Sequence, residues 1–309
     1  MPLDDDVRRY LEEQARLAAP LAWEVPLAQA RAAHAERHLT AGEGVTVAKA
    51  EDGTLAGSTV PVPIRSYWPD ADAKALRVLV YLHGGGFVFG DIATHDVTAR
   101  RLAHDTGSLV VSVEYPLAPE HPFPAAVENS EAALLELIPR LAAMGGSQDR
   151  LILAGDSAGA NLATVLTRRL RDRNGPLPAG QLLVYPVTDF REVDYPSRRE
   201  NGSGYGLTAQ AMEWFGRNYL PDEAHREDPD VSPLAAPDLA GLPPALVLTA
   251  EFDPLRDEGE EYARRLREAG AEVECHRLAG TIHGILTTPQ PLRSRERAWE
   301  LLTGWVERF

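Results

Sequence analysis

The stretch "RLILAGDSAGANLATVLTRRLRD", residues 150–172, changes character part-way along. Residues 150–155 read as a strand, and 158–172 carry apolar side chains at helical spacing. Between them lies "GDSAG", Gly155 to Gly159, a G-x-S-x-G pattern. At so tight a strand-to-helix switch, Ser157 is expected in a strained turn, with the flanking glycines letting neighbouring backbone approach. An ordinary βα turn with a serine near a helix N-terminus would look the same locally. What surrounds the stretch has to decide.

Working outward, strand and helix patterns alternate. "LRVLVYL" (76–82), "SLVVSVEY" (108–115), "GQLLVYPV" (180–187), "ALVLTAE" (245–251) and "EVECHRL" (272–278) are further strand candidates. Helical patterns fall near "THDVTARRLAHDTG" (94–107) and within 124–143, 255–269 and 293–308. Continuous apolar strands alternating with amphipathic helices predict a parallel sheet covered on both faces. "VTVAKA" (45–50) and "STVPVPIRSYW" (58–68) read as two antiparallel strands at its start.

Two segments have no place in that rhythm. Residues 4–38 are Ala-rich, with two or three short helices broken at Pro20 and Pro26. Residues 188–230 are polar and irregular, apart from a helix in "TAQAMEWFGRNYL" (208–220). A segment that long between core strands is unusual unless it does something, such as forming a lid. The expectation is one domain over 1–309, with a core of 44–187 and 231–309 and a helical cap of 1–43 and 188–230.

"YLHGGGFVFGD" (81–91) puts three glycines at the mouth of a buried strand. If Ser157 attacks a carbonyl, an oxyanion forms, and backbone amides aimed at it lower the barrier. Glycines allow such a turn and remove obstructing side chains. The amides of Gly84 and Gly85, with that of Ala158, are the expected donors. A phosphate-binding reading fails, because Phe89 stands at the third Gly of G-x-G-x-x-G and the Lys-Ser/Thr of a P-loop is missing.

A serine nucleophile needs a base, and three histidines follow it. His225 lies in a polar segment that reads as solvated surface, and His276 lies inside a strand pattern. His283, in "AGTIHGIL", follows the last strand at the sheet's C-terminal edge, where sites of this kind assemble. The acid should leave an earlier strand. Asp253 comes directly after one, although it could equally cap the helix that Pro254 begins. Asp257 suits local backbone bonding, and Asp189 is the runner-up.

The bulk composition narrows the partners. With 309 residues and a formal charge of −15, the chain repels phosphate backbones and anionic lipid, so no nucleic acid and no membrane insertion are expected. Lys49 and Lys74 are its two lysines, and Cys275 its one cysteine, so neither an internal disulfide nor a thiolate metal site is expected. The acidic opening "MPLDDDVRRY" does not read as a signal peptide, and a cytoplasmic protein is the economical expectation.

"HGGGFVFGD", "PLAPEHPFPAA", "GDSAGANLA", "DPLRDEGEEYA" and "IHG" together resemble the hormone-sensitive lipase family of α/β-hydrolases, the HGGG-type bacterial esterases. The resemblance runs from about residue 76 to the C-terminus. It implies the α/β-hydrolase fold, an eight-stranded, mostly parallel sheet under a helical cap. It also implies hydrolysis of small carboxylic esters with short to medium acyl chains, with no cofactor and no metal. Carried over, Ser157 is nucleophile, Asp253 acid and His283 base. Gly84, Gly85 and Ala158 form the oxyanion hole, supported by His83, Gly86, Asp156 and Glu120. Trp23, Trp214, Phe215 and Tyr219 in the cap are candidate pocket walls. Relatives pair through the edge of the last strand, which makes a homodimer the implied assembly. Three positions depart from the family pattern: Ala160 for a second elbow glycine, Pro116 for an arginine, and Thr281 for a methionine. Two rival functions remain open on sequence alone. One is an amide or carbamate hydrolase with the same triad; the other is a non-catalytic ligand-binding protein, as in plant gibberellin receptors, where the histidine is lost.

Overall fold

Successive side chains of a strand point to opposite faces, so an uninterrupted apolar run is stable only where both faces are covered. The run at 76–82 meets that condition: Val78, Val80 and Leu82 enter one hydrophobic layer, Leu79 and Tyr81 the other.

The computed structural model describes residues 2–17, 19–40, 42–290 and 292–309. In chain order, α1 (Asp5–Leu17) and α2 (Leu27–Leu39) precede β1 (Lys49–Leu55) and β2 (Val62–Trp68). Then come β3 (Leu76–Leu82), α3 (Asp96–Thr106), β4 (Leu109–Val113), α4 (Ala125–Leu137), β5 (Gly146–Asp156), α5 (Ala158–Asp172) and β6 (Gly180–Val184). After α6 (Pro196–Glu200) and α7 (Ala209–Tyr219), the chain closes with β7 (Ala245–Phe252), α8 (Arg256–Glu268), β8 (Val273–Ile282) and α9 (Arg293–Val306). The eight strands form one sheet, ordered β1-β2-β4-β3-β5-β6-β7-β8. Only the β1–β2 and β2–β4 pairings are antiparallel.

One layer is filled from α4, α5 and α8, the other from α3 and α9, with Val7 of α1 fully buried in the latter. In α5, Leu162, Val165, Leu166 and Leu170 are almost completely buried, each worth roughly 1.5–3 kcal/mol of transfer free energy. Among the described residues, no helix is long and apolar enough to cross a membrane, and no group of three acidic, His or Cys side chains is placed to hold a metal ion.

Two elements differ from expectation. The first strand runs over 49–55, not 45–50. Its sequence, "KAEDGTL", is mostly exposed, because an edge strand is held by main-chain pairing to β2 and needs no apolar alternation. The helix expected within 124–143 stops at Leu137, and a 3₁₀ turn containing Pro139 follows, since proline lacks the amide that would continue an α-helix.

The register fixes which loops meet. Leu82 pairs with Gly155, so the chain leaves β3 and β5 side by side. Phe252 pairs with Ile282, so residues 253 and 283 also emerge together. Around that C-terminal edge, α2 and α7 lie against the loop after β3, α6 touches the start of α8, and α1 packs on β8 and α9. Residues 1, 18 and 41 of the segment read as 1–43 lie outside the described residues.

Candidate active site

Ser157 sits at φ 54°, ψ −117°, a backbone region that L-residues avoid. The flanking glycines explain how the turn closes. A Cβ on Gly159 would overlap the Leu82 carbonyl oxygen, and one on Gly155 would overlap the Gly159 backbone. The elbow is therefore pressed onto β3, and the Ser157 amide donates to Val184 O at 2.9 Å. Strain holds the hydroxyl out at the start of α5.

His283 Nε2 lies 2.9 Å from Ser157 Oγ, and its Nδ1 lies 2.8 Å from Asp253 Oδ2. Asp253 is fully buried, and its other oxygen, Oδ1, accepts the Leu255 amide at 2.9 Å. The capping reading and the acid reading of Asp253 thus hold together, one on each oxygen. Asn201 steadies the same corner by donating to Asp253 O at 3.2 Å. With Nδ1–H donated to the carboxylate, Nε2 is left with a lone pair facing the hydroxyl. A hydroxyl, an imidazole and a carboxylate are thus in contact and in the order that nucleophilic catalysis requires.

A family model described as the alpha/beta hydrolase fold covers residues 79–287. The chain is 42% identical over 241 residues to the carboxylic ester hydrolase LipN of Mycobacterium tuberculosis, spanning 76% of this chain and 64% of that protein. It is 37% identical over 300 residues to an ethyl acetate hydrolase of Pseudomonas putida, spanning 93% and 92%. In three dimensions it superposes on a hyperthermophilic esterase from Pyrobaculum calidifontis with a TM-score of 0.95 and 38% identity, covering 100% of this chain and 99% of that one. The chain is an α/β-hydrolase. Within that superfamily it belongs to the hormone-sensitive-lipase-like family.

In this α/β-hydrolase the loop after β3 is wired differently from the sequence expectation. The Gly84 amide donates to Asp156 Oδ1 at 2.9 Å, so it is not available to an oxyanion. A side chain at Gly84 would collide with that same carboxylate, which is why a glycine stands there. Among the described residues, the amides of Gly85, Gly86 and Ala158 donate to no protein acceptor. Asp156 also accepts the Tyr81 hydroxyl at 2.6 Å, and burial raises its carboxyl pKa. His83 is fully buried, with Nδ1 2.8 Å from Gly84 O and its ring stacked on Tyr115 at 4.3 Å. Burial lowers its imidazole to about 4.

The cap candidates divide. Phe215 packs on Gly86, edge-on to Phe89 at 5.4 Å, and Trp214 lies 5.5 Å from the same ring. Tyr219 corrects its expectation: it is completely buried, stacked on Phe87 at 3.8 Å, and presents no surface to a pocket. Trp23 is half-buried and stacks on no ring among the described residues. His225 is also corrected, being half-buried with its ring 5.1 Å from Phe123.

Asp189 is held by Arg191, at 2.8 Å and 3.0 Å, and by the Tyr195 hydroxyl at 2.7 Å, while the imidazole of His283 bonds to Asp253. Asp257 accepts the Ser197 amide at 2.8 Å. His276 remains on β8, 3.6 Å from Glu274. Glu120 reaches neither the elbow nor the glycines; it binds both arms of Arg31. Two neighbours of the site went unread in the sequence. Arg31 carries no motif, and Tyr185, whose ring lies 4.6 Å from that of His283, gives no signal of its φ of 36°.

Proposed function

We propose that this chain hydrolyses carboxylic esters of short to medium acyl length by acyl transfer through Ser157. The observation that carries the reading is the unbroken line from Ser157 Oγ through His283 to Asp253, with both links under 3 Å. As Oγ attacks the ester carbonyl, His283 Nε2 takes its proton, and Asp253 orients the ring and stabilises the imidazolium. The developing oxyanion is held by the amides of Gly85, Gly86 and Ala158, donors worth roughly 3–4 kcal/mol each in sites of this kind. His283 then protonates the departing alcohol, and water repeats the cycle on the acyl-enzyme.

The names of the relatives support ester chemistry, and the ethyl acetate hydrolase supports a small substrate. Residues 1–43 and 188–230 act as the cap. Phe89, Trp214 and Phe215 form an aromatic wall above the oxyanion loop that limits the acyl or alcohol group. We propose a homodimer paired through the outer edge of β8, which lies at one margin of the sheet.

A series of chromogenic esters of graded acyl length, run beside the matching amides, tests the reading. Ester turnover peaking at short chains supports it; amide turnover matching ester turnover would replace it.

A further inference from the structure

Arg31 stands on α2, outside the sheet. Its Nε donates to Val88 O at 2.9 Å and its Nη2 to Ala118 O at 2.8 Å. Its Nη1 and Nη2 also reach the two carboxylate oxygens of Glu120, at 2.7 Å and 2.8 Å. A planar fork can serve two carbonyls and a carboxylate at once, which an ammonium cannot. The hydrogen bond from Arg31 lowers the Glu120 pKa.

One of the carbonyls it holds, that of Val88, belongs to the turn that carries the glycine amides; the other, that of Ala118, belongs to the neighbouring loop after β4. Gly85 O accepts from Val88 N at 3.1 Å and from Phe89 N at 2.8 Å, while among the described residues the Gly85 and Gly86 amides donate to no protein acceptor. Ala118, the second anchor, returns its own amide to Phe87 O at 2.8 Å. Arg31 thus ties together both strands of main chain that enclose residues 85–89. One turn further along α2, His34 stacks on Phe89 at 5.0 Å, so the helix holds two successive residues of the loop.

We infer that Arg31 is a positioning residue for ester hydrolysis: acting through Val88 and Ala118, it sets the aim of the oxyanion amides from a helix outside the sheet. The inference rests on the esterase reading above. Arg31 bonds to Val88, Ala118 and Glu120 and not to Ser157, so its effect is expected on transition-state stabilisation and not on ground-state binding.

The test compares kcat and KM for wild type and Arg31→Ala, each normalised to sites titrated with a fluorophosphonate. The expected result is a kcat lower by about tenfold to a hundredfold with KM within about twofold. A cavity of about 450 Å³ beside Arg31, lined also by His34, Phe89, Glu114 and Leu117, has room for a small guanidinium. Added ethylguanidinium should restore part of the kcat of Arg31→Ala and leave wild type unchanged. Arg31→Lys, which keeps the charge and loses the fork, should stay low. If Arg31→Ala does not fold, Arg31→Lys and Glu120→Gln carry the same readout, each expected to lose kcat several-fold at constant KM. A folded variant whose titrated sites turn over at the wild-type kcat, even with a lowered Tm, would overturn the inference and leave Arg31 a purely structural residue. A wild-type protein without ester turnover would instead remove the reading beneath it, and needs no variant to be seen.

Discussion

The carboxylate of Asp156 holds the amide of Gly84: the residue before Ser157 clamps the first glycine of the loop after β3, Oδ1 to N, at 2.9 Å. Because Tyr81 binds the same oxygen, the elbow, β3 and the loop share one buried polar junction. Asp156→Ala should free the loop, lowering kcat by about tenfold to a hundredfold with little change in KM. Asp156→Asn keeps an acceptor at Oδ1 and should lose far less. Steady-state kinetics on both variants check this, and equal losses would mean that the charge, not the clamp, matters.

The strain at Ser157 separates stability from activity. Glycine accepts φ 54°, ψ −117° without penalty, whereas serine there costs on the order of 1–3 kcal/mol. Ser157→Gly should therefore unfold at higher urea than wild type while losing ester turnover. Ser157→Ala should lose turnover by roughly 10⁴-fold or more without that gain. An unchanged or lowered midpoint for Ser157→Gly would show that the turn is not strained in solution.

The two aspartates offered by the sequence have opposite fates. Asp253→Asn keeps the cap to Leu255 through Oδ1 but presents an amide to His283, favouring the wrong tautomer, and kcat should fall about 10⁴-fold. Asp189→Asn loosens Arg191 and Tyr195 and should cost stability while leaving kcat nearly intact. Paired kinetics and urea melts distinguish them; the reverse ranking would move the acid to the β6 end.

Acid should weaken the fold through histidines behind the loop. His83 and His95 are fully buried with rings 5.1 Å apart, and burial lowers them to about 4 and about 3. His38 stacks on His95 at 5.7 Å, with Arg37, Asp91 and Asp156 as the nearby charges. The unfolded chain takes up these protons near pH 6.5 and the folded chain only near 4 at His83 and near 3 at His95, so the unfolded state binds more protons in between. Stability therefore falls as pH drops through that window, at up to ~1.4 kcal/mol per pH unit for each ring. Urea unfolding at pH 7 and pH 5.5 should differ by about 2 kcal/mol for the two buried rings. A flat profile would mean that these rings are already charged in the native state.

Much of this was legible because backbone demands write themselves into sequence. Gly155 and Gly159 are required by close contact, Asp253 follows β7, whose apolar run is unmistakable, and His283 stands between Gly280 and Gly284 just after the last strand. What was not legible depended on where a side chain turns. "HGGG" announces free amides, but only the direction of the Asp156 carboxylate decides that Gly84 is used and Gly86 is spare. Tyr219 shares its cap helix with Trp214 and Phe215, and only its stacking on Phe87 shows that it belongs to the core. The Arg31–Glu120 pair joins residues 89 apart, beyond any local pattern. The exposed β1 gives no periodic signal, because its stability comes from pairing with β2.

The most direct test is covalent. Treatment with a fluorophosphonate, followed by intact mass and peptide mapping, should give one adduct per chain on Ser157, with ester turnover lost in step and no adduct on Ser157→Ala. No adduct on the wild-type chain, or one at another residue while Ser157→Ala still turns over ester at the wild-type rate, would contradict Ser157 as the nucleophile.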